Sequence, residues 1–244
     1  MTDELFLTFD LETVGLPFGS FDETQQEYLL RNTANDAERE KKISEFALSP
    51  ITGRIVCIGM RVMRGGEEGW TLDGDVAYSL DDSCTDDATS TKSVLPSGAS
   101  LYMASEKWML VNFWRLLESR RPHLISFNGR GFDAPWLMLR SAVLGIRPSR
   151  NLMTGTKFNY QGHTDLLDEL TYYSGSASGA TRRFNFDMFA KAFGVVSPKA
   201  GGVDGSKVQS LFEAGDMTAI SEYCLRDVRA TWELYLQWRT LLKF

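Results

Sequence analysis

The chain has 244 residues and a mass of 27.4 kDa, with 43% hydrophobic, 24% charged and 12% aromatic residues. That is the composition of an ordinary globular protein and excludes a mainly disordered chain, a collagen-like fibre and a coiled coil. Its 26 basic and 32 acidic residues give a net charge of −6, which argues against a general nucleic-acid coat protein.

No run approaches the roughly 18 apolar residues a membrane helix needs. The acidic start Met1-Thr2-Asp3-Glu4 is unlike the basic start of a signal peptide, so the expected location is the cytoplasm, with no membrane partner. Charge is uneven along the chain. Residues 120–210 hold 12 Lys and Arg against 6 Asp and Glu, leaving 14 against 26 elsewhere. A basic middle in an acidic chain makes a local phosphate-attracting surface or is chance clustering.

The apolar run Leu5-Phe6-Leu7-Thr8-Phe9 reads as a buried strand ending in Asp10-Leu11-Glu12. Residues 22–46 are polar with sparse apolar positions and read as an exposed helix. A second strand is expected over 54–62 and a third near 70–72, whereas residues 73–100, rich in Asp, Ser, Thr and Gly, read as a long surface loop or insertion. Ser105 is placed to cap a helix running to about Ser119. A strand over 123–127 leads through Asn128-Gly129-Arg130-Gly131 into a helix over 134–144, with Pro135 in its first turn. Residues 163–167 suit another strand, and 186–193 and 206–212 suit short helices. Asp216 can cap a last helix whose apolar stripe, from Ile220 through Cys224, Val228 and Tyr235 to Leu241, recurs every three or four residues. Strands first and helices interleaved later imply an α/β or α+β domain with a mixed sheet.

Cys57, Cys84 and Cys224 include no Cys-x-x-Cys pair, so a disulfide scaffold and a Cys-rich zinc site are both disfavoured. The plain reading is two buried apolar cysteines and one in a loop. His123 and His163 are too isolated for a histidine metal site, so any metal must be held by carboxylates. Asp10 and Glu12 stand two apart at a strand end, on one face. Side by side they repel, which a cation between them relieves; two solvated acids are the plain alternative. Tyr223 and Asp227 lie four apart on the last helix, one turn from each other, either as a phenol beside a metal-holding acid or as ordinary surface packing. Asp133 follows a glycine turn and opens a helix, where capping alone would account for it.

Together Phe9-Asp10-Leu11-Glu12-Thr13, then Ser126-Phe127-Asn128-Gly129 with Phe132-Asp133-Ala134-Pro135, then Tyr223-Cys224-Leu225-Arg226-Asp227-Val228 resemble the three exonuclease motifs of the DEDD superfamily of 3′–5′ exonucleases. Tyrosine four residues before the last acid places the chain in the tyrosine-type (DEDDy) branch. It looks most like the stand-alone exonucleases related to the proofreading domain of family B DNA polymerases. Ser49-Pro50, Gly53-Arg54-Ile55-Val56 and residues 205–208 also fit that group. Segments 17–46 and 73–100 match least.

The resemblance implies an α/β, ribonuclease H-like fold, a central mixed sheet flanked by helices, in one exonuclease domain over residues 1–244. It implies a nuclease that uses two ions, Mg²⁺ or Mn²⁺, held by the hard oxygen ligands Asp10, Glu12, Asp133 and Asp227. Asp10, Glu12 and Asp227 would hold the water-activating ion, Asp10 would bridge to the second, and Asp133 would hold that one directly or through water. Tyr223 would orient the attacking water. The Asp10–Thr13 segment would contact the 3′ nucleotide, with Leu11 or Phe132 against its base. Phe132 is equally a core residue, and Asn128 is equally a turn residue or a substrate contact. Arg182-Arg183 suit phosphate contacts or a solvated loop. The substrate implied is single-stranded DNA or a frayed 3′ end, cut to nucleoside 5′-monophosphates. The alternatives are an RNA 3′-end exoribonuclease and a catalytically idle nucleic-acid-binding domain.

Overall fold

The computed structural model describes residues 4–66, 69–197 and 205–243. In chain order it runs through strand β1 (Glu4–Gly15), helices α1 (Glu23–Leu29) and α2 (Asp36–Ser44), and strands β2 (Gly53–Gly66), β3 (Gly69–Leu80), β4 (Ser90–Val94) and β5 (Ser100–Ala104). Then come helix α3 (Glu106–Arg120), β6 (His123–Ser126), α4 (Asp133–Val143), β7 (His163–Asp165), α5 (Leu166–Leu170), α6 (Phe186–Ala192), α7 (Val208–Glu213) and the long α8 (Met217–Leu241).

Among the described residues the strands form one sheet in the order β4-β5-β3-β2-β1-β6-β7. β1, β2 and β3 pair antiparallel, while β6 and β7 add in parallel beside β1. The sheet is mixed and flanked by helices, as expected.

β1 is buried on both faces, which explains its nearly unbroken apolar run. Phe9 on one face meets Phe113 of α3, with ring centroids 5.9 Å apart. Phe6 on the other meets Trp232 and Tyr235 of α8 at 6.3 and 6.0 Å. Strand alternation therefore sends Thr8, Asp10 and Glu12 toward α8 with Phe6. α8 lies close on the sheet because residue 59 has no side chain: a Cβ at Gly59 would stand 2.7 Å from Cys224 Sγ.

Three expectations need correction. Residues 73–100 are not one surface loop: they hold the end of β3 and all of β4 and lead into β5, and only 81–89 and 95–99 are connections, mostly exposed. Their acids, read as loop composition, pair with arginines and a lysine of neighbouring elements: Asp73 with Arg64 and Arg120, Asp75 with Arg229, Asp82 with Arg54, Asp87 with Lys107. Residues 22–46 form two short helices rather than one, capped separately by Asp22 and Asn35. The strand expected over 163–167 stops at Asp165, whose carboxylate accepts the Leu167 N–H at 3.1 Å and so starts α5.

One buried ion pair ties α3, α4 and β2 together. Glu106 Oε1 accepts from Ile55 N and Arg140 Nε, each at 2.8 Å, and Oε2 accepts from Arg140 Nη2 at 2.9 Å. Removing one partner strands the other charge, so Arg140→Met should destabilise by about 3–5 kcal/mol in urea unfolding. A Glu106→Gln/Arg140→Met double variant should recover part of that loss.

Candidate active site

β1 brings Asp10 and Glu12 to the face under α8, and the two acids differ in surroundings. Asp10 keeps a partly exposed edge, whereas Glu12 is only 7% exposed. No hydrogen bond to the Glu12 carboxylate is found among the described residues. A buried carboxylate without a partner is costly unless a cation balances it.

Asp133 arrives by a different route. The turn after β6 begins at Asn128, in the left-handed region with φ 62°. At Gly129 a Cβ would stand 2.2 Å from Ser126 Oγ, so the turn closes only with glycine. Asp133 follows in the first turn of α4, but it does not cap its own helix: the N-cap is Phe132, with no side-chain cap. Instead its Oδ1 accepts the backbone N–H of Leu11 at 3.0 Å. That bond ties the third acid to the backbone between the first two. The turn is held from behind by Asp165, which accepts Asn128 N and Arg130 N at 2.8 Å each.

α8 supplies the rest. Tyr223 and Asp227 stand one turn apart on one face of the helix, near enough for the carboxylate to act on the phenol. With Asp10 they form one side of a cleft of about 180 Å³, and Phe127 and Phe186 form part of the other. A larger hollow of about 810 Å³ opens at the far end of the sheet around Glu4, His123 and Arg150 and is lined by none of the four acids.

The acids act on one another. Burial, then the charges of Asp133, Asp227 and Glu12, hold Asp10 well above the carboxylate range. Burial and Asp227 raise Glu12 in the same way. Asp133 is pushed up to about 7, chiefly by burial, with Asp165 and Asp227 adding to it and its backbone hydrogen bonds opposing. Tyr223 is raised by burial and then by Asp227 and Glu12, so the phenol keeps its proton. A crowd of buried oxygens that would otherwise have to hold protons is a donor set that fits divalent cations bound by oxygen.

The four expected acids and the tyrosine therefore come together. Their expected neighbours are placed less uniformly. Asn128 is half-buried, and its Oδ1 accepts from Arg183 at 2.9 Å. Phe132 is half-buried against the core, 6.0 Å from the Trp136 ring. Leu11 was expected against a base, but its side chain lies in the core at 5% exposure, on the opposite strand face from Asp10; only its N–H serves the site. The Thr13 hydroxyl donates to Ala47 O at 2.6 Å.

Sequence reading missed Asp165, hidden inside what looked like a strand, and the place of Cys224 beside Asp10. It also missed Phe127 and Phe186 as cleft walls. A buried-acid signal at Asp165 was available only as an acid directly before an apolar pair.

Residues 83–243 match the family described as predicted 3′–5′ exonucleases related to the exonuclease domain of PolB. That span holds Asp133, Tyr223 and Asp227; Asp10 and Glu12 precede it. An uncharacterised protein of Methanocaldococcus jannaschii is 33% identical over 141 residues, covering 54% of this chain and 73% of that protein.

The family B DNA polymerase of the archaeon Pyrobaculum calidifontis superposes with a TM-score of 0.53 at 17% identity, over 96% of this chain and 24% of the polymerase. A zinc-bound complex of E. coli ExoI with single-stranded DNA gives 0.51 at 14%, over 99% of this chain and 41% of ExoI. The chain thus spans about a quarter and two fifths of those two polypeptides. At such identities the likeness establishes the fold, a ribonuclease H-like α/β architecture.

The raised Asp133 carboxyl predicts a response to divalent cations that depends on pH. A folded-state pKa of about 7 against an ordinary aspartate near 4 means its contribution to stability is full below about pH 4 and lost as pH rises through about 7. Mg²⁺ or Mn²⁺ should therefore raise the melting temperature relative to EDTA by several degrees at pH 8 and by little at pH 5; 1 kcal/mol is worth about 2–4 °C in a chain of this size. Taking the difference at each pH cancels the buried rings of His123 and His163, held neutral with pKa values of about 4 and about 3 mainly by burial.

Proposed function

Because the chain belongs to the family of predicted 3′–5′ exonucleases related to the exonuclease domain of PolB, we propose that it removes nucleotides one at a time from the 3′ end of single-stranded DNA. Frayed duplex ends would be cut in the same way. The observation that carries this reading is the convergence of Asp10, Glu12, Asp133 and Asp227 with Tyr223, near enough to act on one another's charges, beside a cleft that Asp10, Tyr223 and Asp227 line. The ExoI neighbour's complex with single-stranded DNA supports the choice of strand.

In this reading Asp10, Glu12 and Asp227 would hold one Mg²⁺ or Mn²⁺ ion, and Asp133 with Asp10 would hold a second. Bound there, the ions supply an activated water and neutralise charge on the leaving oxygen. The chain's own groups do the rest. Tyr223 keeps its proton beside Asp227, which leaves the phenol oxygen free to accept from the attacking water and aim it. A phenol so far from deprotonation orients water rather than acting as its base.

Asn128 and Phe132, both half-buried beside the acids, contact the terminal nucleotide, Phe132 by stacking on its base. Leu11 and Thr13 contribute through the backbone of β1. The water oxygen bonds to phosphorus as the P–O3′ bond breaks. A nucleoside 5′-monophosphate leaves, and the shortened strand ends in a 3′-hydroxyl. Asp165, by holding the turn, keeps Asp133 in register with β1.

The test is digestion of 5′-labelled and 3′-labelled DNA and RNA oligomers with Mg²⁺ or Mn²⁺. The expected result is a ladder shrinking from the 3′ end of 5′-labelled single-stranded DNA, and immediate release of labelled mononucleotide from the 3′-labelled strand. Internal cuts, or RNA cut faster than DNA, would refute the substrate assignment. Asp10→Ala should abolish hydrolysis with its circular dichroism unchanged, and a variant that still digests the strand would place the chemistry elsewhere.

Replacing the hydroxyl alone, Tyr223→Phe should slow cleavage at least tenfold while Mg²⁺ still raises the melting temperature. Unfolding of that variant would instead make the ring a core residue.

A further inference from the structure

Cys224 follows the catalytic tyrosine in α8 and is fully buried, so it looks at first like core filler. Its position is more specific than that. The Sγ donates to the Asp10 backbone carbonyl at 3.4 Å and stands 3.8 Å from Asp10 Oδ2. Ligand atoms of Asp10, Glu12 and Cys224 all lie within 4.8 Å of one another.

The 3.8 Å from Cys224 Sγ to Asp10 Oδ2 is close to the separation of two ligands on one cation. Zinc bonds of about 2.3 Å to sulfur and about 2.0 Å to oxygen, at a tetrahedral angle, put the two ligand atoms about 3.5 Å apart. The second indication is independent of the thiol. The Glu12 carboxylate is more than nine-tenths buried and faces this point, with no hydrogen bond to it found among the described residues. Gly59 lets the sulfur come so close to β1 and β2 by leaving its own space empty.

We propose that Asp10, Glu12 and Cys224 form a site for a thiophilic divalent cation of the Zn²⁺ and Cd²⁺ class, overlapping the positions of the hard ions. It rests on the reading of Asp10 and Glu12 as metal ligands. Mg²⁺ has no use for sulfur and leaves the thiol protonated and idle. On binding Zn²⁺ or Cd²⁺ the S–H bond gives way to a sulfur–metal bond and the proton leaves to water; no electron changes hands. A cation held toward the sulfur is drawn to the sheet side of the cleft. The activity is then inhibited by Zn²⁺ in the presence of Mg²⁺.

The decisive probe is Cd²⁺, whose bond to a thiolate absorbs in the near ultraviolet. Titrating the full chain with CdCl₂ should give a band that saturates at one equivalent. It should persist in a Cys57→Ser/Cys84→Ser background, where Cys224 is the one remaining thiol, and vanish in Cys224→Ser or Cys224→Ala checked by circular dichroism. Asp10→Asn should weaken Zn²⁺ binding at least tenfold by calorimetry.

Absence of the band in the native chain, its loss in the Cys57→Ser/Cys84→Ser background, or its survival in a folded Cys224 variant would each overturn the proposal. A protein that binds Cd²⁺ through Cys224 yet cuts no strand refutes the nuclease reading alone. One that cuts with Mg²⁺ but shows no band refutes the thiol site alone.

Discussion

Four carboxylates crowded into one buried hollow repel one another, and this repulsion is the constraint the architecture works against. Asp10, Glu12 and Asp133 each feel the charge of Asp227, and each is driven upward in pKa by burial first. A chain free to relax would turn these acids to water. It is prevented from doing so by elements whose own stability comes from elsewhere: β1 locked between β2 and β6, α8 packed through Phe6, Trp232 and Tyr235, and α4 anchored by Glu106 and Arg140. The core outweighs the repulsion, and the repulsion makes the four acids a donor set that fits divalent cations.

Much of this was legible in the residues. Both acids of β1 share a face because a strand alternates, and Tyr223 and Asp227 share one because a helix turns every 3.6 residues. The last helix declared itself through its stripe and its Asp216 cap, which accepts Ala219 N at 3.0 Å. What spacing could not supply was the meeting of the parts. The bond from Leu11 to Asp133 joins residues 122 positions apart, and no local pattern encodes it. Asp133 next to a helix start suggested a cap, and only the fold shows it serving another strand.

The failures have one cause. Polar composition was taken for a loop at residues 73–100, yet β3, β4 and β5 extend the sheet there, with β4 lying largely exposed. The acids of that stretch meet arginines on β2, α3 and α8, partners far away in sequence. Composition counts charges without knowing which of them are neutralised across strands. Asp165 was overlooked for the reverse reason: it is polar but buried, 1% exposed, its charge balanced by three backbone N–H groups.

The width of the acid-lined cleft is set by a missing atom. With hydrogen alone at residue 59, the helix carrying Asp227 rests directly on the strand that pairs with Asp10. A methyl group at that point would act as a shim, lifting one jaw of the calliper, and Asp227 with it, while Asp10 stays on its strand. Spacing between the jaws can thus be tuned by a position that is no part of the cleft lining.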